Sequence, residues 1–189
     1  EKNLHISSSL AEILTRKNLD ENSAKLFLNP TKIPYHDPFL LKDMEKACQR
    51  LLLALKNKEK ICIYGDYDVD GVSSTALLMT VFTKLGFNID YYLPDRHSEG
   101  YGLHIESLQK LIPKYDLLIT VDCGITALDE VDYAKDKIDM IITDHHLPRE
   151  ILPDAFAIIN PTQTQGIYPN NNLCGVGVAF KLCQGLYQS

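Results

Sequence analysis

Five aspartates and two histidines of this sequence come directly after apolar segments, where they could meet at one place and hold metal ions. They are Asp66, Asp68, Asp70, Asp122, Asp144, His145 and His146. Carboxylates together with imidazoles suit Mn²⁺, whereas Mg²⁺ takes mostly oxygen ligands. Several carboxylates in one place repel one another strongly unless cations bridge them. Two ions about 3.5–4 Å apart can share a carboxylate, activate a water molecule and hold phosphoryl oxygens.

Apolar segments alternate with amphipathic segments from about residue 40 onward. Helices are predicted at residues 40–58, 71–85, 105–112, 126–136 and 177–188, and strands at residues 60–64, 89–93, 117–121, 138–143 and 155–159. This alternation predicts an α/β fold, with a parallel β-sheet and helices on both of its faces. Ligands collect at the carboxyl ends of the strands in such sheets, and the aspartates and histidines follow three of those ends.

An N-terminal helical extension precedes the alternating region. Leu10, Ile13 and Leu14 predict a short helix there. We therefore divide the chain into residues 1–58, the extension with its lead-in helix, and residues 59–189, the domain that carries the polar cluster. The chain does not begin with methionine, and its final helical pattern runs to the last residues, so we expect a piece of a longer polypeptide.

The acidic cluster at residues 66–71 has two other interpretations. It matches the beginning of a calcium-binding EF-hand loop, but that loop needs a preceding helix and a glutamate at its twelfth position, where this sequence has Leu77. An aspartyl-phosphatase site, with Asp68 as nucleophile and Asp70 as acid, gives no reason for the later Asp-His-His sequence. A solvated acidic turn does not account for similar residues after three strands.

The bulk composition sets limits on the class of protein. The net charge of −6 by itself argues against nucleic acid, because phosphate binding usually needs a basic surface. A site that holds two divalent cations must itself be acidic, however, and the cations then supply positive charge. The five cysteines include no C-x-x-C pair, and we expect them to be reduced in a cytoplasmic protein. We predict no membrane span and no signal peptide.

Three segments resemble, in order, the first three motifs of the DHH phosphoesterase superfamily. They are GDYDVDG at residues 65–71, VDCG at 121–124 and DHH at 144–146. Other segments narrow the resemblance to the RecJ nucleases of that superfamily: FLNP (27–30) with HDPFLL (36–41), PDR (94–96) with EGYGL (99–103), and CGVGVAFK (174–181). The resemblance extends from about residue 26 to the end of the chain.

The resemblance implies a role for each polar residue. The implied metal ligands are Asp66, Asp68, Asp70, Asp122 and His145, although Asp66 could instead be a partner of a ligand. The implied ions are two Mn²⁺ or Mg²⁺, and the implied catalytic residues are Asp122, Asp144 and His146. Asp122 would bridge the ions, His146 would face the phosphate, and Asp144 would orient a histidine.

Residues outside the three motifs are assigned by the same resemblance. Arg96 and His97 are candidates for contact with phosphate or nucleotide, and for Arg96 a surface ion pair is an equally open alternative. Segment 174–181 is expected to pack beside the site.

The implied activity is 5′-to-3′ exonuclease action on single-stranded DNA in repair and recombination, by in-line attack of water on a phosphodiester. The implied partners are a single-strand-binding protein and a helicase. A phosphodiesterase or phosphatase acting on short nucleotides, and a non-enzymatic scaffold, are the alternatives. The superfamily has a fourth motif with another aspartate ligand, as well as further domains, and these do not occur before Ser189. We therefore expect an incomplete domain that is weakly active or inactive alone.

Overall fold

The computed structural model describes residues 4–32, 35–163 and 166–189. The chain forms two compact units, Glu1–His36 and Asp37–Ser189. The extension predicted over residues 1–58 includes residues 1–3 and 33–34, which lie outside the described residues.

The first unit contains two short helices, α1 (Ser8–Arg16) and α2 (Glu21–Leu28), and a 3-10 turn at Pro30–Lys32. Side-chain caps fix where both helices begin. The Ser7 hydroxyl accepts a hydrogen bond from the amide of Leu10, and the Asp20 carboxylate accepts one from the amide of Ser23. The predicted short helix is confirmed as α1, whereas α2 is not predicted from the sequence.

The second unit is built on a sheet of five parallel strands. They are β1 (Lys60–Gly65), β2 (Asn88–Tyr92), β3 (Leu117–Val121), β4 (Asp139–Thr143) and β5 (Ala157–Ile159). Their order across the sheet is β2-β1-β3-β4-β5. The chain moves outward from β1 in both directions, and ligands bind outside the carboxyl ends of the strands at such a reversal. The predicted parallel sheet is confirmed.

Helices cover both faces of the sheet. They are α3 (Met44–Asn57), α4 (Val69–Lys84), α5 (Ile105–Leu111), α6 (Leu128–Ala134) and α7 (Gly175–Gln188), with 3-10 turns at Pro38–Leu40 and Ile112–Lys114. Ile61 and Ile63 of β1 pack in one apolar core with α3, α4 and α7, whereas Cys62 and Tyr64 pack in a second core with α5 and α6. In the part of the chain that the structure describes, no helix has the length and apolar character of a membrane span.

The lead-in helix α3 packs within the second unit. Its buried residues Met44, Cys48 and Leu51 share a core with β1 and α7. At Gly185 of α7, an added Cβ would lie 2.8 Å from the sulfur of Met44, so this glycine permits the close approach of the two helices. The compact unit begins at Asp37. A boundary of the catalytic domain between residues 58 and 59 stays a prediction.

Candidate metal centre at the carboxyl edge of the sheet

Four strands of the sheet end at one level, and a buried polar residue follows each of them. The last residues pair across the sheet as Gly65 with Val121, Val121 with Thr143 and Thr143 with Ile159. The residues that follow are Asp66, Asp122, Asp144 and Asn160. The register of the sheet therefore places three carboxylates side by side.

Two groups of potential ligand residues lie at this edge. Within each group, the ligand atoms lie within 4.8 Å of one another. One group consists of Asp66, Asp68 and Asp122, and the other of Asp122, His145 and His146. Asp122 belongs to both groups, as is expected of a carboxylate that could be shared by two ions. The structure thus brings together five of the predicted site residues.

Asp122 is buried close to like charges. Its φ of +62° lies in the left-handed region, and the residue is 2% exposed. His145 Nε2 lies 3.1 Å from Asp122 Oδ1, but no described residue donates to this oxygen with hydrogen-bond geometry. Burial, together with the charges of Asp70 and Asp68, raises the pKa of Asp122 to about 7.

Asp66 is a second buried carboxylate at this edge. It is 1% exposed, and neither of its carboxylate oxygens accepts a hydrogen bond from the residues that the structure describes. Burial raises the pKa of Asp66. A buried carboxylate that lacks a partner destabilises the fold unless a proton or a cation neutralises it. The donor set therefore fits the divalent ions that the sequence predicts.

Asp68 and Asp70 have partners at the beginnings of two helices. Asp68 Oδ1 caps α4 by accepting hydrogen bonds from the amides of Asp70 and Gly71. The Asp70 carboxylate accepts hydrogen bonds from the first two amides of α7, at 2.6 Å from Gly175 and 2.7 Å from Val176. The positive end of the α7 dipole favours this anion. Segment 174–181 thus lies beside the site, as predicted.

The carboxylate of Asp144 is hydrogen-bonded to His146. This carboxylate accepts hydrogen bonds from the amides of Ile125, His145 and His146, and from His146 Nδ1 at 2.7 Å. Burial opposes the ionisation of Asp144, but its bonds with His146 and Ile125 outweigh burial and lower its pKa. The hydrogen bond to Asp144 raises the pKa of His146, against a smaller effect of burial. This geometry supports an orienting role for Asp144.

Tyr101 also reaches the site, although the sequence does not predict it as a site residue. Its hydroxyl lies 3.3 Å from His146 Nε2 and 3.4 Å from the carbonyl oxygen of Asp122. Burial raises the pKa of Tyr101, so the phenol stays protonated near neutral pH. The EGYGL segment is the sequence feature that could have drawn attention to it.

Arg96 and His97 lie on the exposed loop after β2, outside the two ligand groups. The Arg96 guanidinium lies 5.4 Å from the centre of the Tyr67 ring, and that ring meets Tyr101 edge-on. Among the described residues, Arg96 forms no ion pair within 4.0 Å. The amide of His97 is bound by Asp95.

The metal-free protein is expected to lose stability as the pH rises from about 4 to about 7. The pKa of Asp122 is about 7 in the folded protein and about 3.9 in the unfolded chain. Between these values the folded state keeps a proton that the unfolded state has released, so each pH unit removes up to about 1.4 kcal/mol. Urea unfolding in chelator at pH 5 and pH 8 measures the difference.

The matched control for this pH dependence is Asp136→Asn, because Asp136 has a similar φ of +60° but is exposed. Asp122→Asn should reduce the pH dependence and leave the contributions of Asp66 and His146, whose pKa values are also raised, whereas Asp136→Asn should leave the profile unchanged. Equal profiles for the wild type and Asp122→Asn would contradict the assignment.

The chain belongs to the DHH family, whose N-terminal domain model matches residues 60–189. Among its curated relatives, the single-stranded-DNA-specific exonuclease RecJ of Bacillus subtilis is 44% identical over 97% of this chain and 24% of the relative. RecJ of Haemophilus influenzae is 43% identical over 90% of this chain and 28% of the relative. The chain therefore spans about a quarter of the length of these relatives.

The fold is also similar to that of a solved RecJ. A crystal structure of exonuclease RecJ bound to manganese is 34% identical, with a TM-score of 0.74, and the match covers 82% of this chain and 40% of that chain. The resemblance to RecJ nucleases that the motifs predict is confirmed by these comparisons.

Proposed function

We propose that the full-length protein is a metal-dependent exonuclease that degrades single-stranded DNA from its 5′ end, in repair and recombination. The observation that carries the proposal is Asp122, a buried carboxylate shared by two groups of potential ligands. A carboxylate in that place suits two ions that act on one phosphate. The names of the RecJ relatives support single-stranded DNA as the substrate.

The proposed cofactors are two Mn²⁺ or Mg²⁺ ions, and the manganese of the structural relative supports the first. Asp66, Asp68 and Asp122 would hold one ion, and Asp122 with His145 would hold the other. Asp70 Oδ2 lies 3.6 Å from His145 Nε2 and is a further candidate ligand. When bound, such ions activate the phosphodiester and the attacking water as Lewis acids.

The protein groups around the ions have separate tasks in this proposal. Asp144 accepts a hydrogen bond from His146 Nδ1 and raises the pKa of His146, which favours the protonated ring that would stabilise negative charge on the phosphate oxygens. The Tyr101 hydroxyl adds a hydrogen-bond donor next to that imidazole. Arg96 and His97 would contact phosphate or nucleotide outside the ligand groups.

The domain assignment and the cellular setting belong to the same proposal. Residues 59–189 would be the beginning of the DHH phosphoesterase domain, and residues 1–58 its extension. We propose a cytoplasmic protein that works with a single-strand-binding protein and a helicase.

The test is degradation of a long 5′-phosphorylated single strand by the full-length protein, with Mn²⁺ and with chelator. We expect mononucleotides in Mn²⁺ and none in chelator. Dinucleotides are assayed in parallel, because hydrolysis of dinucleotides without degradation of the long strand would favour a phosphodiesterase for short nucleotides. No hydrolysis of either substrate would contradict both activities.

A further inference from the structure

Asn160 is a buried polar residue at the same edge of the sheet as the candidate metal centre. It follows β5, whose last residue, Ile159, pairs with Thr143 of β4. Asn160 therefore lies one strand away from Asp144, at the same level, and is 1% exposed. A buried amide needs hydrogen-bond partners, and those partners indicate what the residue does.

The side chain of Asn160 is bound to the loop that carries the two histidines. Its Nδ2 donates a hydrogen bond of 2.9 Å to the carbonyl oxygen of His146. Its Oδ1 accepts from the amide of Thr162 at 2.7 Å and lies 2.7 Å from the Thr162 hydroxyl. That hydroxyl also lies 3.2 Å from the carbonyl oxygen of His146. Asn160 and Thr162 thus both lie within hydrogen-bond distance of this carbonyl oxygen.

The hydrogen bonds of Asp144 hold the other end of the same short loop. Asp144 Oδ1 accepts hydrogen bonds from the amides of His145 and His146, so side chains hold both the amides and the His146 carbonyl of this loop. The next residue, Leu147, is 79% exposed and contributes little packing to the loop. Hydrogen bonds from side chains therefore hold the backbone that carries both imidazoles.

Asn160 is not required to bind the unpaired backbone groups of the edge strand β5, because other side chains bind the amide and the carbonyl of Ile158 in the middle of that strand. Asp43 Oδ2 accepts a hydrogen bond from the amide of Ile158, and Gln163 Nε2 donates one to its carbonyl oxygen. The Asn160 donor is directed to the histidine loop instead.

We propose that Asn160, supported by Thr162, is a positioning residue that holds His145 and His146 in the geometry needed for metal and phosphate. The inference rests on the proposed function, since it assumes that these histidines serve a metal centre. Asn160 acts through the His146 carbonyl and does not itself touch the reacting atoms.

The test measures Mn²⁺ affinity of the full-length protein by paramagnetic resonance titration, under conditions where every variant is folded. Asn160→Ala should raise the Mn²⁺ dissociation constant by about 10-fold or more, the usual range for residues that orient metal ligands. Asn88→Ala is the control, because Asn88 is exposed at the opposite end of β2 from the site. Thr162→Val should weaken binding, whereas Thr162→Ser, which keeps the hydroxyl, should restore it.

Hydrogen exchange provides a second readout that does not depend on metal. The amides of His145 and His146 should exchange about 10-fold faster or more in Asn160→Ala than in the wild type, beyond any change in global stability. Unchanged exchange and a Mn²⁺ affinity within twofold of the wild type would overturn the inference while leaving the proposed function standing. A wild type that binds no Mn²⁺ would overturn both.

Discussion

Asp122→Asn is expected to reduce metal-dependent hydrolysis by the full-length protein by about 10³-fold or more, while making the metal-free protein more stable. Loss of a residue that merely orients a ligand typically costs about 10–100-fold, and Asp122 is a candidate ligand in both groups at the site. The neutral amide removes the repulsion from Asp68 and Asp70 that, together with burial, raises the pKa of Asp122. Asparagine also tolerates the φ of +62° at this position.

The opposite signs of these two effects make the experiment selective. Activity is measured with saturating Mn²⁺ on a 5′-phosphorylated strand, and stability by urea unfolding in chelator at pH 8. In chelator at pH 8, the free energy of unfolding should increase by a few kcal/mol. The wild type must keep a buried carboxylate charge at position 122 that no cation neutralises, and the variant lacks that charge. Asp136→Asn, the exposed control with a similar backbone, should change neither quantity. A variant that is inactive and also less stable would indicate a structural role for Asp122 instead.

Strands β1, β3, β4 and β5 could be predicted from the sequence because each is a mainly apolar segment with a polar residue directly after it. All five residues of β3 are buried, and its predicted bounds, 117–121, are those of the structure. Gly86, with a φ of +85°, follows the end of α4 in the left-handed conformation that is typical of a glycine after a helix. Helix α2 is not predicted because its large apolar residues, Leu26, Phe27 and Leu28, are consecutive and not spaced at intervals of three and four.

The carboxylates of the site could also be predicted, since neighbouring parallel strands bring their ends together. The individual contacts of the carboxylates could not be predicted from residue spacing, because they come from distant segments and follow no period. Only the family resemblance indicates that segment 174–181 lies beside the site. The amides that bind Asp70 lie 105 and 106 residues further along the chain. Asn160 follows an ordinary apolar strand, and its bond to His146 depends on the register between β4 and β5.

Gly175→Ala is expected to disturb the site from the side of α7. A Cβ at this position would lie 2.5 Å from Asp122 Oδ1 and 2.8 Å from its Cγ. Asp122 is 2% exposed, so its carboxylate cannot avoid this contact by turning into solvent. Overpacking of this kind costs about 1–3 kcal/mol. Relief of the clash would move either the Asp122 carboxylate or the amides that bind Asp70.

Both of these movements change the geometry of candidate ligands, so Gly175→Ala should weaken Mn²⁺ binding by about 10-fold or more. Gly177→Ala is the control on the same helix, because its Cβ would lie 3.4 Å from Leu173, an ordinary contact. It should keep Mn²⁺ affinity within about threefold and raise helix stability by up to about 1 kcal/mol. Titration with Mn²⁺ and urea unfolding separate the two variants. If both bind Mn²⁺ like the wild type, the close approach of α7 does not define the site, and the contact between Gly175 and Asp122 is a matter of packing.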